Sequence, residues 1–226
     1  MAFRLDEVLP WGRSSSEYAR MFSLTDADLE KRIVGCGDGP ASFNAAMRRK
    51  GKRVVSVDPL YAFSADEIRG RVQVATNTIL AQLTANQSAF VWTMFRSPQE
   101  LGEIRMKVME AFLRDFELGK SEGRYLPQEL PHLPFADGQF DLALCSHFLF
   151  TYSGQLSEDF HCQAVLEMCR IAQELRIFPL MDHGGQPSPH LEPICRLIEQ
   201  HGRRFTIEPV DYGFQRGTGQ MLRILR

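Results

Sequence analysis

Residues 32–59 read RIVGCGDGPASFNAAMRRKGKRVVSVDP, which is an apolar run, a glycine-rich loop, a helical pattern and a β-branched run. The pattern predicts a strand over 32–34, a helix over 40–50 and a second strand over 53–57. Pro40 suits the first turn of a helix because the N–H group that proline lacks would have no partner there. A strand, a helix and a second strand in this order form a βαβ unit, which predicts a parallel sheet.

The rest of the chain continues this alternation of helical and extended patterns. Further helices are predicted over 65–87, 98–120, 157–173 and 189–201, and further strands over 124–126, 140–145, 174–180, 204–210 and 220–225. Two successive strands at the end of such a series predict an antiparallel edge on an α/β sheet. We therefore expect one domain over 1–226, with an N-terminal lid segment over 1–28 and a helical insertion over 64–123.

The composition is that of an ordinary globular protein. Of the 226 residues, 44% are hydrophobic and 24% are charged, and the formal net charge is -2. A chain without a basic excess gives no electrostatic reason to expect a nucleic-acid or membrane partner. The N-terminus lacks the apolar stretch of a signal peptide, and no apolar run is long enough to span a bilayer. We expect a cytoplasmic protein that is a monomer or a homodimer.

The five cysteines indicate neither a disulfide framework nor a zinc site. Their number is odd, and no two of them form a CxxC pair. Reduced thiols are the simplest interpretation. Because close clusters of cysteine and histidine are also missing from the sequence, no structural metal is expected. Asp182 follows a later predicted strand, but Ser146 and not an acid follows 140–145, so no catalytic metal is expected either.

The glycine-rich loop is the first candidate for ligand binding. It consists of Gly35, Cys36, Gly37, Asp38 and Gly39. Glycine lets the backbone turn tightly and lets a ligand approach without a Cβ in the way. The start of the following helix offers free N–H groups to an electron-rich ligand. Asp58 ends the next strand, where its carboxylate is placed to accept hydrogen bonds from ribose hydroxyls. The alternative role of Asp58 is that of a turn residue before Pro59.

The spacing of the glycines separates two classes of adenosine cofactor. A dinucleotide-binding loop has the pattern GxGxxG or GxGxxA, which requires a small third residue at position 40. This chain has Pro40 there, and its glycines follow the pattern GxGxG instead. The spacing therefore argues against NAD.

Three segments carry a resemblance to a known family. They are the loop over 35–39 with Asp58, the sequence LPFADGQFD over 133–141, and the sequence CSHF over 145–148. Together they resemble the motifs of class I S-adenosylmethionine-dependent methyltransferases, and the order of elements agrees from about residue 32 onward. The resemblance implies a Rossmann-like three-layer sandwich with a mostly parallel seven-stranded sheet whose last strand is antiparallel. It also implies S-adenosylmethionine bound across the carboxyl ends of the first strands.

The resemblance assigns site residues by position. The implied cofactor contacts are Gly35, Cys36, Gly37, Asp38, Gly39, Asp58, Pro59, Ser146 and His147, with Glu129 and Leu130 as candidate contacts of the adenine. In such enzymes the protein mainly aligns an acceptor with an already electrophilic methyl group. A general base is needed only if the acceptor must lose a proton early, and His147 is the candidate. The alternative role of His147 is a packing or cofactor-wall residue.

The acceptor side of the site is less defined. Asp182 and His183 follow the strand predicted over 174–180, so they are expected at the same rim of the sheet. Trp92 and Phe95 are candidates for an acceptor pocket, and they could equally be core residues that anchor the insertion. Methyltransferases that act on amino groups of nucleic acids often carry an Asn/Asp-Pro-Pro-aromatic motif after the fourth strand. This chain has SHFL over 146–149 instead, which favours a small-molecule acceptor.

Two other functions stay open at this point. The family usually has an acid two residues before its first loop glycine, and this chain has Ile33 there. That difference favours a methyltransferase-like protein that binds the cofactor without catalysis. An NAD-dependent oxidoreductase is the other alternative, and Pro40 argues against it.

Overall fold

The computed structural model describes residues 8–226, which form seven strands and six helices. The strands are β1 (Ile33–Cys36), β2 (Val54–Val57), β3 (Tyr125–Leu126), β4 (Phe140–Ser146), β5 (Ala172–Phe178), β6 (Arg204–Pro209) and β7 (Gln220–Leu225). The helices are α1 (Ser15–Met21), α2 (Phe43–Arg49), α3 (Ala65–Ala85), α4 (Pro98–Ser121), α5 (Glu158–Ile171) and α6 (Leu191–Gln200).

All seven strands form one sheet in the order β3-β2-β1-β4-β5-β7-β6. The first five strands along this order are parallel, and β7 runs antiparallel to both β5 and β6. Strand β7 is thus inserted between two strands that precede it in the chain. The expected seven-stranded sheet with an antiparallel last strand is confirmed, and so is the helical segment before the fourth strand.

The helices cover both faces of the sheet, which gives the expected three layers. Successive residues of a strand point to opposite faces. Ile33 and Leu142 belong to the apolar core that also contains residues of α1 to α4, whereas Val34 and Ala143 belong to the core under α5 and α6. Both faces of the central strands are buried, as the near-continuous apolar runs in their sequences indicate.

The loop after β1 differs from its prediction. Strand β1 continues to Cys36, and α2 begins only at Phe43, so the helix predicted over 40–50 starts three residues late. Gly37 and Gly39 have left-handed φ angles of 62° and 53°, and the chain must still turn after them before a helix can begin. The prediction that Pro40 lies in the first helical turn is therefore wrong. The other predicted helices and strands agree with the structure to within a few residues.

The N-terminal segment packs against the carboxyl edge of the sheet. Helix α1 begins with a capping box, in which the Ser14 hydroxyl and the Glu17 carboxylate each accept a backbone N–H of the other residue. The side chains of Tyr18, Met21 and Phe22 are almost completely buried. Of the lid segment predicted over 1–28, residues 1–7 lie outside the described residues, and opening of this segment stays a prediction.

The long segment between β2 and β3 forms a helical hairpin of α3 packed against α4. Both helices have the start signals expected from the sequence. Ser64 caps α3, and Ser97 caps α4 with Pro98 in its first turn. Among the helices of residues 8–226, none combines the length and apolar character needed to cross a membrane.

Candidate functional site

A large cavity opens at the carboxyl ends of β1, β2 and β4. Its volume is about 830 Å³, which lies within the range of roughly 300–1,000 Å³ for ligand pockets. Nine of the predicted cofactor contacts line it: Gly37, Asp38, Gly39, Asp58, Pro59, Glu129, Leu130, Ser146 and His147. The structure thus brings together residues that are up to about a hundred positions apart in the sequence, at the edge where parallel sheets bind ligands.

The loop backbone forms one wall of this large cavity. Gly37 and Gly39 take left-handed conformations that glycine adopts without strain. A Cβ at Gly37 would lie 2.7 Å from the Phe148 ring, so the loop and the segment after β4 approach each other closely. The N–H groups of Gly37 and Asp38 both donate to the Val57 carbonyl, which ties the loop to the end of β2.

Asp58 joins the loop to the end of β2. Its Oδ2 accepts the Gly39 N–H at 2.8 Å, and its Oδ1 accepts the Leu60 N–H at 2.9 Å. Burial raises the pKa of the Asp58 carboxyl to about 6, although these two hydrogen bonds favour the charged form. Each carboxylate oxygen can accept a second hydrogen bond, so Asp58 can still receive two hydroxyl donors from the cavity.

Asp38 is a second, more deeply buried carboxylate. It accepts hydrogen bonds from the hydroxyls of Tyr18 and Ser56, and only 6% of the residue is exposed. Burial raises the pKa of Asp38 above the usual aspartate value. A Cβ at Gly35 would lie 2.5 Å from this carboxylate, so the glycine makes room for Asp38. The sequence placed Asp38 in the loop but did not reveal that its side chain folds back against β1.

Two of the predicted loop contacts do not lie at the cavity wall. Gly35 and Cys36 lie in β1 and line neither of the two cavities found at this edge. Gly35 is covered by the Asp38 carboxylate, and the Cys36 side chain packs in the apolar core under α5 and α6. Burial raises the pKa of the Cys36 thiol, which is the expected behaviour of an unreactive core cysteine.

His147 follows β4 directly and has a left-handed φ of 50°, which is uncommon for a residue with a side chain. Its N–H donates to the Phe178 carbonyl at 2.7 Å, and its Nδ1 lies 3.0 Å from the Ser146 hydroxyl. Burial, assisted by the charges of Arg13 and Arg105, lowers the pKa of His147 well below 6.5. The imidazole is therefore neutral at neutral pH.

A smaller cavity of about 90 Å³ adjoins the large one. The residues that line both are Leu9, Trp11, Arg13, His147 and Tyr152. Asp182 and His183 line this smaller cavity, so the structure places them beside His147 as expected from the strand order. We call the smaller cavity the inner recess.

Trp92 and Phe95 line neither the large cavity nor the inner recess, so the structure does not bring them to the other predicted site residues. Phe95 is only 4% exposed and packs edge-on against Phe214, and Trp92 packs on the same ring. They anchor the end of the α3–α4 hairpin to the segment before β7. The alternative that they are core residues is the one the structure supports.

Sequence reasoning missed the charged cluster behind the inner recess. Arg105 is 1% exposed, and its guanidinium makes two hydrogen bonds with the Glu17 carboxylate. The Tyr212 hydroxyl donates to the same carboxylate at 2.9 Å. The sequence held one signal, because Arg105 lies four residues after Leu101 and four before Met109, at an apolar position of an amphipathic helix. Arg13 was missed as well, and its segment carries no motif.

Within residues 8–226, no group of three or more histidine, cysteine, aspartate or glutamate side chains is arranged to hold a metal ion.

Comparison with known proteins gives one relative by sequence and several by structure. The chain is 29% identical over 223 residues to an uncharacterized protein of Methanocaldococcus jannaschii, covering 98% of each chain. No family model matches the sequence. The chain resembles magnesium protoporphyrin IX methyltransferase of Synechocystis PCC 6803, crystallised with S-adenosylmethionine (TM-score 0.45, 14% identity, 89% of this chain and 73% of the other). It also resembles an S-adenosylmethionine-dependent methyltransferase of Aquifex aeolicus (TM-score 0.45, 13% identity, 92% and 90%).

Proposed function

We propose that this protein transfers a methyl group from S-adenosylmethionine to a small-molecule acceptor. The observation that carries the proposal is the joined arrangement of the glycine loop and Asp58 at the ends of β1 and β2. The 2.8 Å hydrogen bond from Gly39 to Asp58 fixes a carboxylate beside a backbone wall without side chains. A nucleoside needs both features, because its ribose hydroxyls seek a carboxylate and its sugar needs close approach to the backbone.

The residues present fit S-adenosylmethionine in charge as well as in space. The cofactor carries ribose hydroxyls and an ammonium group, and the cavity wall offers the carboxylates of Asp58 and Asp38. This chain has Ile33 where the family usually has an acid, but the Asp38 carboxylate lies beside Gly35 and lines the cavity. We assign Asp58 to the ribose and Asp38 to the ammonium group. Glu129 and Leu130, at another part of the wall, remain our candidates for the adenine.

The cofactor supplies an electrophilic methyl carbon on a sulfonium, and the protein's task is then to hold an acceptor in line with that carbon. His147 lines both the large cavity and the inner recess, where that alignment would be set, and Ser146 lies next to it in the wall of the large cavity. The neutral imidazole can accept a hydrogen bond from an acceptor. It is a weak proton acceptor, however, because its protonated form is disfavoured beside two guanidinium groups. We therefore assign His147 mainly to orientation of the acceptor.

The buried position of Ile33 weakens the argument for an inactive binding protein. Ile33 is 1% exposed in β1 and packs in the core, and the Asp38 carboxylate is held nearby by two hydroxyls. A missing acid at position 33 therefore does not leave the cavity without a carboxylate. The GxGxG spacing continues to argue against NAD.

Calorimetric titration tests the proposal. We expect saturable binding of S-adenosylhomocysteine and S-adenosylmethionine, and no binding of NAD. Protein that is folded by circular dichroism but binds neither sulfur compound would contradict the proposed cofactor.

Two glycine variants locate the binding in the large cavity. Gly37→Val places a side chain into the narrow space beside Phe148, and we expect it to abolish binding of S-adenosylhomocysteine. Gly51→Val is the matched control, since Gly51 also has a positive φ but has no atom within 4 Å of an added Cβ. Equal affinities of the two folded variants would show that the loop is not the binding wall.

A further inference from the structure

Arg13 is a half-buried cation between the large cavity and the inner recess, and it lines both. Its Nη1 donates to the Trp11 carbonyl, and its Nε is buried and finds no hydrogen-bond partner among residues 8–226. Within the same residues Arg13 forms no ion pair with any carboxylate. A guanidinium is always charged in a protein. The Arg13 guanidinium carbon lies 5.7 Å from the centre of the Trp11 ring, but no carboxylate of the described residues pairs with it.

Glu17, whose carboxylate contributes to the electrostatic environment of Arg13, already has hydrogen-bond partners. Glu17 accepts two hydrogen bonds from Arg105 and one from the Tyr212 hydroxyl, so the charge of Glu17 is balanced by that of Arg105. Burial, and then the positive charge of Arg105, lower the pKa of Arg13. The neutral imidazole of His147 does not offset this charge either. The charge of Arg13 is therefore paired with neither carboxylate, Glu17 or Asp182, among the described residues.

Other polar groups around the recess lack partners too. The Nε of Arg105 and the Oγ1 of Thr151 are buried without a hydrogen-bond partner in the described part of the chain. Asp182, a carboxylate in the wall of the recess, accepts the Gln186 N–H at 2.9 Å and is not paired with Arg13. Three residues that line the recess thus each have a buried polar atom without a partner, which is costly in a folded protein.

We propose that Arg13 anchors a carboxylate group of a ligand at the entrance of the inner recess. The planar guanidinium matches a carboxylate with two parallel hydrogen bonds, and a ligand carboxylate would supply the anion that the described residues do not provide. This inference rests on the proposed function, which supplies two sources of a carboxylate: the amino-acid end of the cofactor, or an acceptor that is a small carboxylic acid. The small size of the recess suits either group.

Binding of two thioether nucleosides tests whether Arg13 holds the carboxylate of the cofactor. S-adenosylhomocysteine and 5′-methylthioadenosine share the adenosine and the sulfur, and only the former has the carboxylate. If Arg13 holds the cofactor's carboxylate, Arg13→Gln lowers the affinity for S-adenosylhomocysteine by about tenfold or more and leaves that for 5′-methylthioadenosine unchanged. Arg20→Gln is the matched control, because it removes a nearby charge that pairs with Asp211 at the exposed surface.

Titration with a simple carboxylate tests whether Arg13 holds the carboxylate of an acceptor. Trp11 lines both cavities, and Trp92→Phe leaves it as the protein's single tryptophan. If Arg13 holds an acceptor, acetate and propionate change Trp11 fluorescence saturably in protein loaded with S-adenosylhomocysteine, whereas acetamide does not. The response is lost in Arg13→Gln and weakened in Arg13→Lys, which keeps the charge without the planar pair of donors.

The proposal is overturned if Arg13→Gln binds both nucleosides like the wild type and acetate gives no response that depends on Arg13. If Arg13→Gln does not fold, the nucleoside affinities and the acetate response of Arg13→Lys are compared with those of the wild type instead. Failure of the proposed function is a separate result, in which the wild type binds neither nucleoside. Titration of the ligand-free protein with acetate still tests the carboxylate subsite in that case.

Discussion

At the scale of single residues, the two aspartates that line the large cavity differ in the groups that donate hydrogen bonds to them. Asp58 accepts backbone N–H groups and is half-buried, whereas Asp38 accepts two hydroxyls and is almost completely buried. Hydroxyl partners can reverse their donor and acceptor roles, but N–H groups only donate. Asp58 is therefore committed to accepting, as a contact of ribose hydroxyls must be.

The raised pKa of Asp58 predicts pH-dependent binding. A ligand that donates hydroxyls prefers the ionised carboxylate, so affinity rises as pH increases through about 6. We expect S-adenosylhomocysteine to bind up to about tenfold more weakly at pH 5 than at pH 7, from the fraction of ionised carboxyl. The stability of the free protein changes in the opposite direction, because a raised carboxyl pKa stabilises the fold below the unfolded value and loses that contribution as pH rises through about 6.

Calorimetry at a series of pH values checks this prediction, with Asp58→Asn as the control. The asparagine variant binds more weakly at pH 7 and loses the pH dependence. A variant that keeps the wild-type pH profile would assign the titration to another group.

Some residues of the site could be predicted from the sequence, and others could not. Asp58 and His147 could be placed because each directly follows a recognisable strand. Arg13 could not be placed, since it precedes the first strand and nothing local predicts which cavity a segment outside the sheet will cover. Trp92 and Phe95 have a composition that suits a pocket and a core equally, and only their contacts with Phe214 separate the two.

At the scale of secondary-structure elements, the N-terminal segment is attached to the rest of the protein by a buried ion pair. Glu17 of α1 pairs with Arg105 of α4, and Tyr212 joins them from the segment before β7. Burial opposes the charged form, but the charge and hydrogen bonds of Arg105 outweigh it and lower the pKa of Glu17 to about 2. The ion pair thus joins α1 to α4, and Tyr212 connects both to the segment before β7. Arg105 and Tyr212 also line the inner recess.

Removing one partner of this pair leaves a buried charge. We expect Glu17→Gln to lower the free energy of unfolding by about 3–5 kcal/mol, and Arg20→Gln, at an exposed pair, by less than about 1 kcal/mol. The contribution of Glu17 is present above its unfolded pKa of about 4.5 and is lost as pH falls toward 2. Urea denaturation at pH 7 and pH 3 measures both effects. Equal losses for the two variants at pH 7 would show that the buried pair does not hold α1.

The helices and strands were more predictable from the sequence than the loops that join them. Each β-branched or apolar run and each capped amphipathic run in the sequence forms its strand or helix. The error at Pro40 arose at a junction, because loop conformation there depends on the Arg13 carbonyl, which accepts the Ser42 N–H at 3.1 Å. The order of the strands in the sheet was not predicted, since periodicity contains no information about which strands are neighbours.

At the scale of the whole molecule, the site is assembled from distant parts of one sheet. The large cavity is lined by the N-terminal segment, the loops after β1, β2, β3 and β4, and α3. A ligand there contacts all of them at once. Binding must therefore stabilise the entire fold and not only one loop.

Thermal unfolding with and without ligand tests this prediction. At a concentration 100 times its Kd, S-adenosylhomocysteine stabilises the folded state by about 2.7 kcal/mol, and the Tm rises by a few degrees. Hydrogen exchange should slow in residues 8–13 as well as in the loop after β1. An equal concentration of NAD serves as the control. Protection confined to the loop would indicate that the N-terminal segment does not close over the ligand.

The bond between Glu17 and Tyr212 spans 195 positions of the chain, and this separation has a consequence for biosynthesis. A ribosome that adds about 5–20 residues per second makes Tyr212 roughly 10–40 s after Glu17. During that interval Glu17 can pair with Arg105 but not with Tyr212, so the cluster is incomplete. The inner recess, which Tyr212 and Phe214 line, is thus complete only when synthesis has passed the segment before β7.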